Sequence, residues 1–458
     1  MEELSFSEIV EAVEGKVIIN GNCHKYNVLS TDTRKICKDS IFVALRGQNF
    51  NGNNYIVEAS GNGANLCIVD EINFESSELL SNTSVILVKD SKKALLDLAE
   101  YYRGKLRVKV VAITGSTGKT STKDLTAAAL SGKFKVFKTK GNFNNEIGLP
   151  LMVFELDNSY DVAVLEMGMS NFGEIERLAK VARPDLAIIT NIGVSHIENL
   201  KTRENILKAK MEITKYFSKE NILIVNNEND LLSSLLDDRD YKIFRVGFGK
   251  NVDLEAKDIV INEDSIEFSI EDNELNNRFV IPIPGKHNVL NSLLALAAGK
   301  LLGIEYSLMK ESIKLLNFTS MRLDIVKGKK YTIIDDSYNA SPDSMKAALD
   351  VLKNISGNRK IAVLGTMREL GDESFKFHKE VGNYAREKGA DLLITVGEYS
   401  SAFKEGFSED SKFINFQNVK EATEYLLNNI NVSDVVLVKA SRSMSFETIV
   451  KELKAKNC

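Results

Sequence analysis

Short apolar runs alternate with helical patterns through the middle of the chain. The runs are rich in β-branched residues, which is typical of strands buried on both faces of a parallel sheet. The predicted strands are Val108–Ile113, Val162–Leu165, Leu186–Thr190 and Asn221–Val225. Helical patterns such as Thr120–Leu130 separate them, so the sequence predicts a doubly wound α/β sheet.

The first part of the chain has shorter apolar runs, at Ile41–Leu45 and Leu66–Val69, that are punctuated by Gly and Asn. These runs predict a small α/β domain, and residues 88–103 predict an amphipathic helix that leads into the centre. Later, residues 252–283 alternate apolar and polar positions, which indicates an antiparallel edge or subsheet. The apolar helix after Asn288 is expected to close the central part.

The last part of the chain repeats the alternation of strands and helices. Its predicted strands are Tyr331–Asp335, Ile361–Leu364, Leu392–Val396 and Val435–Val438. This pattern predicts a second, smaller Rossmann-like domain. We therefore predict three domains, at residues 1–100, 101–317 and 318–458.

Composition narrows the class of protein. The 458 residues are 43% hydrophobic and 27% charged with a formal net charge of −5, which gives no indication of a nucleic-acid-binding surface. The N-terminus is acidic and lacks the apolar core of a signal peptide, and no apolar run approaches the ~20 residues of a membrane span. The cysteines form no C-x-x-C pair, so we expect free thiols in a cytoplasmic protein; they are Cys23, Cys37, Cys67 and Cys458.

A glycine-rich turn lies between the first predicted central strand and its helix. In such a turn the backbone N–H groups and the positive end of the helix favour a phosphate, while Lys119 can reach the β- and γ-phosphates and Thr120 can bind Mg²⁺. The predicted nucleotide-binding residues of the turn are Gly115, Ser116, Thr117, Gly118, Lys119, Thr120 and Ser121. Ile113 stands where the longer motif G-x-x-x-x-G-K-[ST] has glycine, so an ordinary strand–helix turn is the alternative.

Polar residues follow two further predicted strands, where an open α/β sheet binds its ligands. Glu166 is a candidate Mg²⁺ ligand, with a solvated strand-end acid as the alternative. Asn191 and His196 follow the next strand, and His196 is equally consistent with a structural or a functional role. The segment Lys208–Glu212 lies on a predicted helix, and its periodicity alone favours solvated lysines.

Two more polar segments precede helices. Asn288 and Asn291 lie three residues apart on one helical face, where capping explains one of them and contact with a nucleotide base is an alternative. The block Asp335–Ser344 is denser in polar residues than an N-cap requires, which indicates a binding site.

Taken together, these segments resemble the Mur ligase family, which builds the peptide of bacterial cell-wall precursors. The resemblance covers essentially the whole chain and implies a domain for the UDP substrate, an ATPase domain and a C-terminal Rossmann-like domain. The matching segments are Thr114–Thr120, Glu166, Asn191 with His196, Lys208–Glu212, His287–Asn291 and the block from Asp335.

The resemblance also implies a mechanism. ATP phosphorylates a carboxylate to an acyl phosphate, ADP is released, and an amine then displaces phosphate. Lys119 would serve the ATP side together with Mg²⁺ held by Thr120 and Glu166, and His196 with a carbamylated Lys210 would hold a second Mg²⁺. The implied nucleotide contacts outside the glycine-rich turn are Asn288, Asn291, Arg322 and Asp336.

Within the family, the chain is similar to the branch that joins D-alanyl-D-alanine to UDP-N-acetylmuramoyl-tripeptide. The discriminating segments are Gly141–Gly148, Asp336–Met345, Glu369–Gly371 followed by His378, and the N-terminal Thr31–Arg34 and Phe42–Gly47. The implied substrate-binding residues are Thr31, Asp32, Thr33, Arg34, Asn142, Asn144, Asn145, Tyr338 and Asn339. Two departures are Thr366, where the family often has Asp, and Asn53–Tyr55 in place of the usual His and Phe.

Two alternatives to this function stay open at this point. One is another amide ligase of the same superfamily, either amino-acid-adding or similar to folylpolyglutamate synthase; the latter needs a pterin site, against which the UDP-like first part argues. The other is a non-catalytic protein that uses ATP to switch its domain contacts. In either case we expect a monomer.

Overall fold

The structure is a computed structural model that describes residues 1–21, 23–249, 251–272, 275–316 and 318–457. Cys458 and the predicted domain boundary at residue 317 therefore lie outside the described residues. Within them, no helix is long and apolar enough to cross a membrane.

The first part of the chain forms a five-stranded sheet with the order β2-β9-β8-β5-β4. The elements are β1 (Leu4–Ser5), α1 (Phe6–Val13), β2 (Lys16–Ile19), β3 (Lys25–Tyr26), β4 (Val28–Ser30), β5 (Ser40–Val43), β6 (Arg46–Gly47), β7 (Phe50–Asn51), α2 (Ile56–Gly61), β8 (Ala64–Val69), β9 (Ser84–Leu87) and α3 (Ser91–Gly104). Strand β2 pairs antiparallel with β9, and the other pairs are parallel. The predicted small α/β fold of this part is confirmed.

The central part is built on a seven-stranded parallel sheet with the order β11-β12-β10-β13-β14-β15-β16. Its elements are β10 (Lys109–Thr114), α4 (Lys119–Ser131), β11 (Val136–Lys138), α5 (Gly148–Phe154), β12 (Val162–Glu166), α6 (Glu174–Ala182), β13 (Leu186–Ile189), α7 (Ile197–Leu200), α8 (Arg203–Met211), β14 (Ile222–Asn226), α9 (Asp230–Ser233), β15 (Lys242–Gly247) and β16 (Leu254–Glu255). Apolar clusters lie on both faces of this sheet, which explains why its strands read as continuous apolar runs.

A separate three-stranded antiparallel sheet follows, as the alternation over residues 252–283 indicates. This segment comprises β17 (Lys257–Ile261), β18 (Ile266–Asp272), β19 (Leu275–Ile281), α10 (Lys286–Leu301) and α11 (Tyr306–Lys314). Helix α10 packs against α4, the helix that follows the glycine-rich turn. Since α10 carries buried residues on all sides, it fills the space between the two sheets and closes the central part as predicted.

The last part is a six-stranded sheet with the order β20-β21-β25-β22-β23-β24, parallel except for the edge strand β20. Its elements are β20 (Asp324–Lys327), β21 (Thr332–Asp335), α12 (Pro342–Asn354), β22 (Arg359–Gly365), α13 (Ser374–Glu387), β23 (Leu392–Val396), α14 (Ser400–Phe407), β24 (Phe413–Phe416), α15 (Val419–Asn429), β25 (Asp434–Lys439) and α16 (Glu447–Lys456). The predicted Rossmann-like character of this part is confirmed.

Helix α3 crosses residue 100, where the sequence places the first domain boundary. The side chain of Asp90 caps the helix by accepting hydrogen bonds from the backbone N–H groups of Lys92 and Lys93, at 2.8 and 3.0 Å. Its apolar face packs against α5 and α6 of the central part and belongs to an apolar cluster shared by both parts. The first sheet is thereby fixed to the central sheet through a common core.

Candidate active site

The central sheet has a topological switch point at β10. From this strand the chain passes first to β11 and β12 on one side and then to β13 on the other. Ligands of open α/β sheets bind beyond the carboxyl ends of the strands at such a point. The residues at these ends are the glycine-rich turn after β10, Glu166 of β12 and Asn191 after β13, which are the polar positions that the sequence singles out.

Two glycines allow the turn after β10 to take its shape. Gly118 has φ 78° and caps the N-terminus of α4, and a Cβ there would lie 2.7 Å from Oδ1 of Asn291. Gly115 has φ 152°, and its Cβ would lie 1.8 Å from the hydroxyl oxygen of Thr190. Both the backbone conformation and the close approach of neighbours therefore require glycine.

Asn191 holds the turn from the neighbouring strand end. Its side-chain oxygen accepts a hydrogen bond from the Thr117 N–H at 2.8 Å, and its side-chain amide donates to the Thr117 hydroxyl at 2.8 Å. The backbone carbonyl of Asn191 also accepts from the Ser116 N–H at 3.0 Å. The crevice-edge position predicted for Asn191 is confirmed, and the side chain acts there by shaping the phosphate loop.

Glu166 is 3% exposed, so the solvated strand-end acid is the wrong alternative. One carboxylate oxygen accepts a hydrogen bond from the Thr120 hydroxyl at 3.0 Å, and the other accepts from the Asn144 side-chain amide at 2.9 Å. The hydroxyl and carboxylate oxygens together form the hard oxygen donor set that suits Mg²⁺ bound to phosphates. Among the described residues there is no cluster of three or more His, Cys, Asp or Glu, so a metal ion here would need further oxygens from a ligand.

Lys119 lies in the first turn of α4 with its ammonium 2.7 Å from the carbonyl oxygen of Gly115, to which it donates. Burial lowers the pKa of Lys119 and the nearby Arg322 adds to this effect, whereas Glu166 opposes it. Two cationic groups therefore lie together at the mouth of the phosphate loop. A polyanion would offset their mutual repulsion, which makes the site electrostatically suited to a nucleoside triphosphate.

Lys210 is buried, whereas the helical periodicity of its segment favours solvated lysines. It is 1% exposed, whereas Lys208 on the same helix is exposed. Burial and the nearby Lys119 ammonium lower the pKa of Lys210 well below its usual 10.5. The reason for the error is that Lys210 lies on the buried side of α8 together with Ile206 and Ala209, although its residue type is typical of a solvated position. Burial therefore disfavours the ammonium form of Lys210, and the neutral form of a lysine is a nucleophilic amine.

His196 precedes the short helix α7 with the backbone in the left-handed region, at φ 66°. Its Nδ1 contacts the carboxylate of Glu369, which comes from the loop after β22 of the last sheet. The hydrogen bond to His196 lowers the pKa of Glu369 although burial raises it. A carboxylate of the C-terminal part therefore contacts His196, which itself borders the crevice. The sequence analysis names Glu369 in a discriminating segment but not among the site residues.

The C-terminal part also contributes a cation and an aromatic ring. The Arg322 guanidinium donates to the Thr120 hydroxyl at 3.3 Å and lies 4.0 Å from the centre of the Tyr338 ring. Asp336 is buried and forms an ion pair with Lys439, which also donates to the carbonyl of Asn339 at 2.9 Å. Lys439 was missed from the sequence, where the signal was a single lysine at the end of an apolar strand.

Neither asparagine of α10 caps the helix, because the N-cap is Gly285. The Asn288 side chain donates to the Pro284 carbonyl at 2.7 Å, and the Asn291 side chain donates to Asn288 at 2.9 Å. The chain of hydrogen bonds leaves the oxygen of Asn291 beside Gly118 of the phosphate loop.

Ser341 uses its side chain to cap α12 with Ser344, so capping accounts for only two residues of the polar block, as the sequence predicts.

These side chains surround one cleft of about 870 Å³ between the central and the last sheet. The sequence-predicted residues that line it are Ser116, Thr117, Gly118, Lys119, Thr120, Ser121, Asn142, Asn144, Asn145, Glu166, His196, Asn291, Arg322, Asp336, Tyr338 and Asn339. Gly115, Asn288 and Lys210 support these residues without lining the cleft. The segment Thr31–Arg34 lies in the first part of the chain, where Asp32 caps a 3₁₀ turn and forms an ion pair with Arg34, and it is not brought to the cleft.

Comparison with known protein families gives one match in the central part of the chain and one in the C-terminal part. Residues 113–299 match the Mur ligase middle domain, and residues 321–442 match the Mur ligase glutamate ligase domain. The chain belongs to the Mur ligase family. As a member, it is an ATP-dependent ligase that forms a carbon–nitrogen bond.

Several known proteins align with this Mur ligase over nearly its whole length. The UDP-N-acetylmuramoyl-tripeptide–D-alanyl-D-alanine ligase of Bacillus subtilis is 39% identical over 93% of this chain and 92% of its own, and that of Escherichia coli is 32% identical over 99% of each. A crystal structure of MurF from Acinetobacter baumannii matches with a TM-score of 0.91 at 29% identity, covering 99% of both chains. The structure of MurF ligase from Thermotoga maritima in complex with ADP matches at 0.83, with 29% identity and coverage of 94% and 97%. This Mur ligase shares their three-domain fold.

We expect Gly115→Ala to weaken ATP binding at least about tenfold, because the added Cβ would collide with Thr190 and push the phosphate loop out of shape. Calorimetric titration with a non-hydrolysable ATP analogue measures this. The matched control is Gly389→Ala, which has φ 78° but no atom within 4 Å of the added Cβ and so carries only the backbone cost of about 1 kcal/mol. Unchanged analogue binding in Gly115→Ala would contradict the geometry of the loop.

Proposed function

We propose that this Mur ligase joins D-alanyl-D-alanine to the terminal carboxylate of UDP-N-acetylmuramoyl-tripeptide, with conversion of ATP to ADP and phosphate. The observation that carries the proposal is the meeting of Glu166, Thr120 and Arg322, from three separate elements, in one cleft beside Lys119. The substrates are those in the names of the relatives that are 39% and 32% identical over nearly the whole chain.

The chemistry explains why the cleft is cationic. A carboxylate is a poor electrophile, so its oxygen first attacks the γ-phosphorus of ATP, and ADP leaves. The amine of D-alanyl-D-alanine then attacks the carbonyl carbon of the acyl phosphate, loses a proton, and expels inorganic phosphate with the original carboxylate oxygen. Because the first step brings two anions together, Lys119 and Arg322 lower its barrier by neutralising charge where it develops.

Mg²⁺ fits the oxygen donors of Thr120 and Glu166, and it would supply further positive charge at the transferring phosphoryl group. The phosphate loop binds the phosphates through its backbone N–H groups, and Asn191 fixes its shape. Asn144 holds the second oxygen of Glu166, which orients the carboxylate toward Thr120. We assign Asn288, Asn291, Arg322 and Asp336 to the support and contact of the nucleotide.

Lys210 and His196 are proposed to hold a second Mg²⁺, with Lys210 as a carbamate. A neutral amine adds to CO₂ and releases one proton, and the product is an anion. The lowered pKa of Lys210 supports this assignment, because burial already disfavours the ammonium form. Carbamylation would replace a buried amine by an oxygen ligand for a cation.

The remaining assignments concern the two ends of the substrates. Asn142, Asn145, Tyr338 and Asn339 line the cleft, and we assign them to the tripeptide and the incoming dipeptide. Thr366 is 1% exposed and uncharged, so it provides no ionic contact to the dipeptide amine.

The uridine diphosphate end is assigned to the first domain. Thr31 and Asp32 lead into the 3₁₀ turn Thr33–Lys35, and the side chains of Thr31, Asp32, Thr33 and Arg34 are exposed or half-buried and therefore accessible to a ligand. We further propose domain boundaries at residues 100 and 317, a monomeric state and a cytoplasmic location.

A phosphate-release assay with ATP, UDP-N-acetylmuramoyl-tripeptides and D-alanyl-D-alanine tests the function, and we expect release to depend on all three. Lys119→Ala should lower kcat by about two to three orders of magnitude, because it removes a cation from the transferring phosphoryl group. The exposed Lys208→Ala serves as the control and should match the wild type. Two results would each refute the proposal: no phosphate release from folded wild-type protein with any such tripeptide, or nucleotide binding without ligated product, as a switch protein would give.

Carbamylation of Lys210 predicts a ¹³C NMR signal from protein equilibrated with ¹³C-bicarbonate. Since only the neutral amine reacts and the pKa is well below 10.5, the signal should be present near pH 7.5 and fall as the pH drops through the lowered pKa. The signal should be lost in Lys210→Ala and retained in Lys208→Ala. Wild-type protein that shows no signal between about pH 7.5 and about pH 8.5 would contradict the assignment.

A further inference from the structure

The segment that leads from the central part to the last sheet forms hydrogen bonds to α4, the helix that follows the phosphate loop. The segment runs from residue 318 to residue 323, at the junction between the two family matches at 113–299 and 321–442. Thr319 donates from both its backbone N–H and its hydroxyl to one carboxylate oxygen of Asp124, at 2.9 and 2.7 Å. Arg322, three residues further on, donates to Thr120 at 3.3 Å.

The acceptor carboxylate is a rigid anchor. Asp124 is 1% exposed, and its other oxygen lies 2.7 Å from the Lys138 ammonium and 3.6 Å from that of Lys123. Burial raises the pKa of Asp124, but the two lysines and the Thr319 hydroxyl outweigh it and leave the pKa lowered. A buried carboxylate that is paired on both oxygens resists displacement, because any movement would leave a charge without partners.

The two contacts are in register along one helix. Thr120 and Asp124 are four residues apart on α4, so they lie on the same face one turn from each other. The segment therefore follows this face, with Thr319 fixed at the second turn and Arg322 brought to the first turn, beside the phosphate loop.

The backbone around Arg322 supports the same conclusion. Met321 and Leu323 have φ values of 63° and 54°, a left-handed conformation that residues with a Cβ seldom adopt. Such a conformation persists only where surrounding contacts hold it. The contacts on its two sides are the Asp124–Thr319 anchor and the hydrogen bond from the Leu323 N–H to Asp336 at 3.2 Å.

We propose that Asp124 and Thr319 are positioning residues for the ligation reaction, which act by fixing Arg322 against the phosphate loop. Neither residue lines the cleft, so their effect on the nucleotide passes through Arg322. This inference rests on the proposed function for its turnover readout, while its nucleotide-binding readout depends only on ATP recognition.

A double-mutant cycle separates this role from a purely structural one. Thr319→Val, Arg322→Ala and the combined variant are compared with the wild type for affinity toward adenylyl imidodiphosphate with Mg²⁺ and for kcat/KM toward ATP. We expect Thr319→Val to weaken both about tenfold, the lower end of what the loss of a hydrogen bond to a charged group costs, because the backbone N–H of residue 319 still donates to Asp124. In the Arg322→Ala background it should have no further effect, because its target is already absent.

Two control variants are measured in the same way. Thr319→Ser keeps the hydroxyl and should restore nearly wild-type behaviour. Thr126→Val removes a hydroxyl from a fully buried threonine of α4 that has no hydrogen-bond partner among the described residues, and it should leave both readouts unchanged. Urea unfolding of each variant establishes that it is folded.

Two outcomes overturn the proposal. In the first, Thr319→Val binds the analogue and turns over ATP as the wild type does. In the second, Thr319→Val lowers affinity and turnover by the same factor in the wild-type and the Arg322→Ala backgrounds. If Thr319→Val does not fold, Asp124→Asn is taken through the same cycle with the same two criteria. Failure of the proposed function is distinguishable, since the wild type would then bind the analogue and show coupling in affinity but release no phosphate with the tripeptide substrates.

Discussion

The hydroxyl of Thr120 joins three parts of the molecule. It donates to Glu166 at the end of one central strand, accepts from Arg322 of the C-terminal segment, and belongs to the helix that carries the phosphate loop. A carboxylate and a guanidinium that meet at one neutral oxygen balance each other's charge without forming a direct ion pair. The arrangement leaves room for a cation beside the carboxylate and an anion beside the guanidinium, which is what a Mg²⁺-bound phosphate requires.

The same constraint explains the electrostatics of the surrounding cleft. Lys210 and Lys439 are buried and Lys119 is half-buried at the cleft, and burial lowers the pKa of each. Lys439 is compensated by Asp336, whereas Lys119 and Lys210 repel each other. A bound polyanion would offset this repulsion at Lys119, and the proposed carbamylation would replace the Lys210 amine by an anion.

Much of the fold could be predicted because buried parallel strands read as apolar runs. Strand β24 at Phe413–Phe416 escaped prediction because it is an edge strand in which a polar residue interrupts a short apolar run. The interior strands β9 and β15 also escaped, although most of their residues are buried. The cleft position of Glu166 and of the phosphate loop was predictable because the carboxyl ends of parallel strands meet at one edge of a sheet. Lys210 shows the limit, because periodicity alone does not reveal that a lysine lies on the buried side of its helix. Glu369 and Lys439 escaped because their partners come from distant parts of the chain, which only the packed sheets bring together.

We propose that this cleft activates a carboxylate by phosphoryl transfer. The most direct measurement uses UDP-N-acetylmuramoyl-tripeptide labelled with ¹⁸O in both oxygens of its terminal carboxylate, with ³¹P NMR of the phosphate formed during ligation. Because an acyl phosphate transfers one labelled oxygen to phosphorus, we expect one ¹⁸O in each phosphate released and the other in the new amide. Ligated product that forms together with unlabelled phosphate would contradict it.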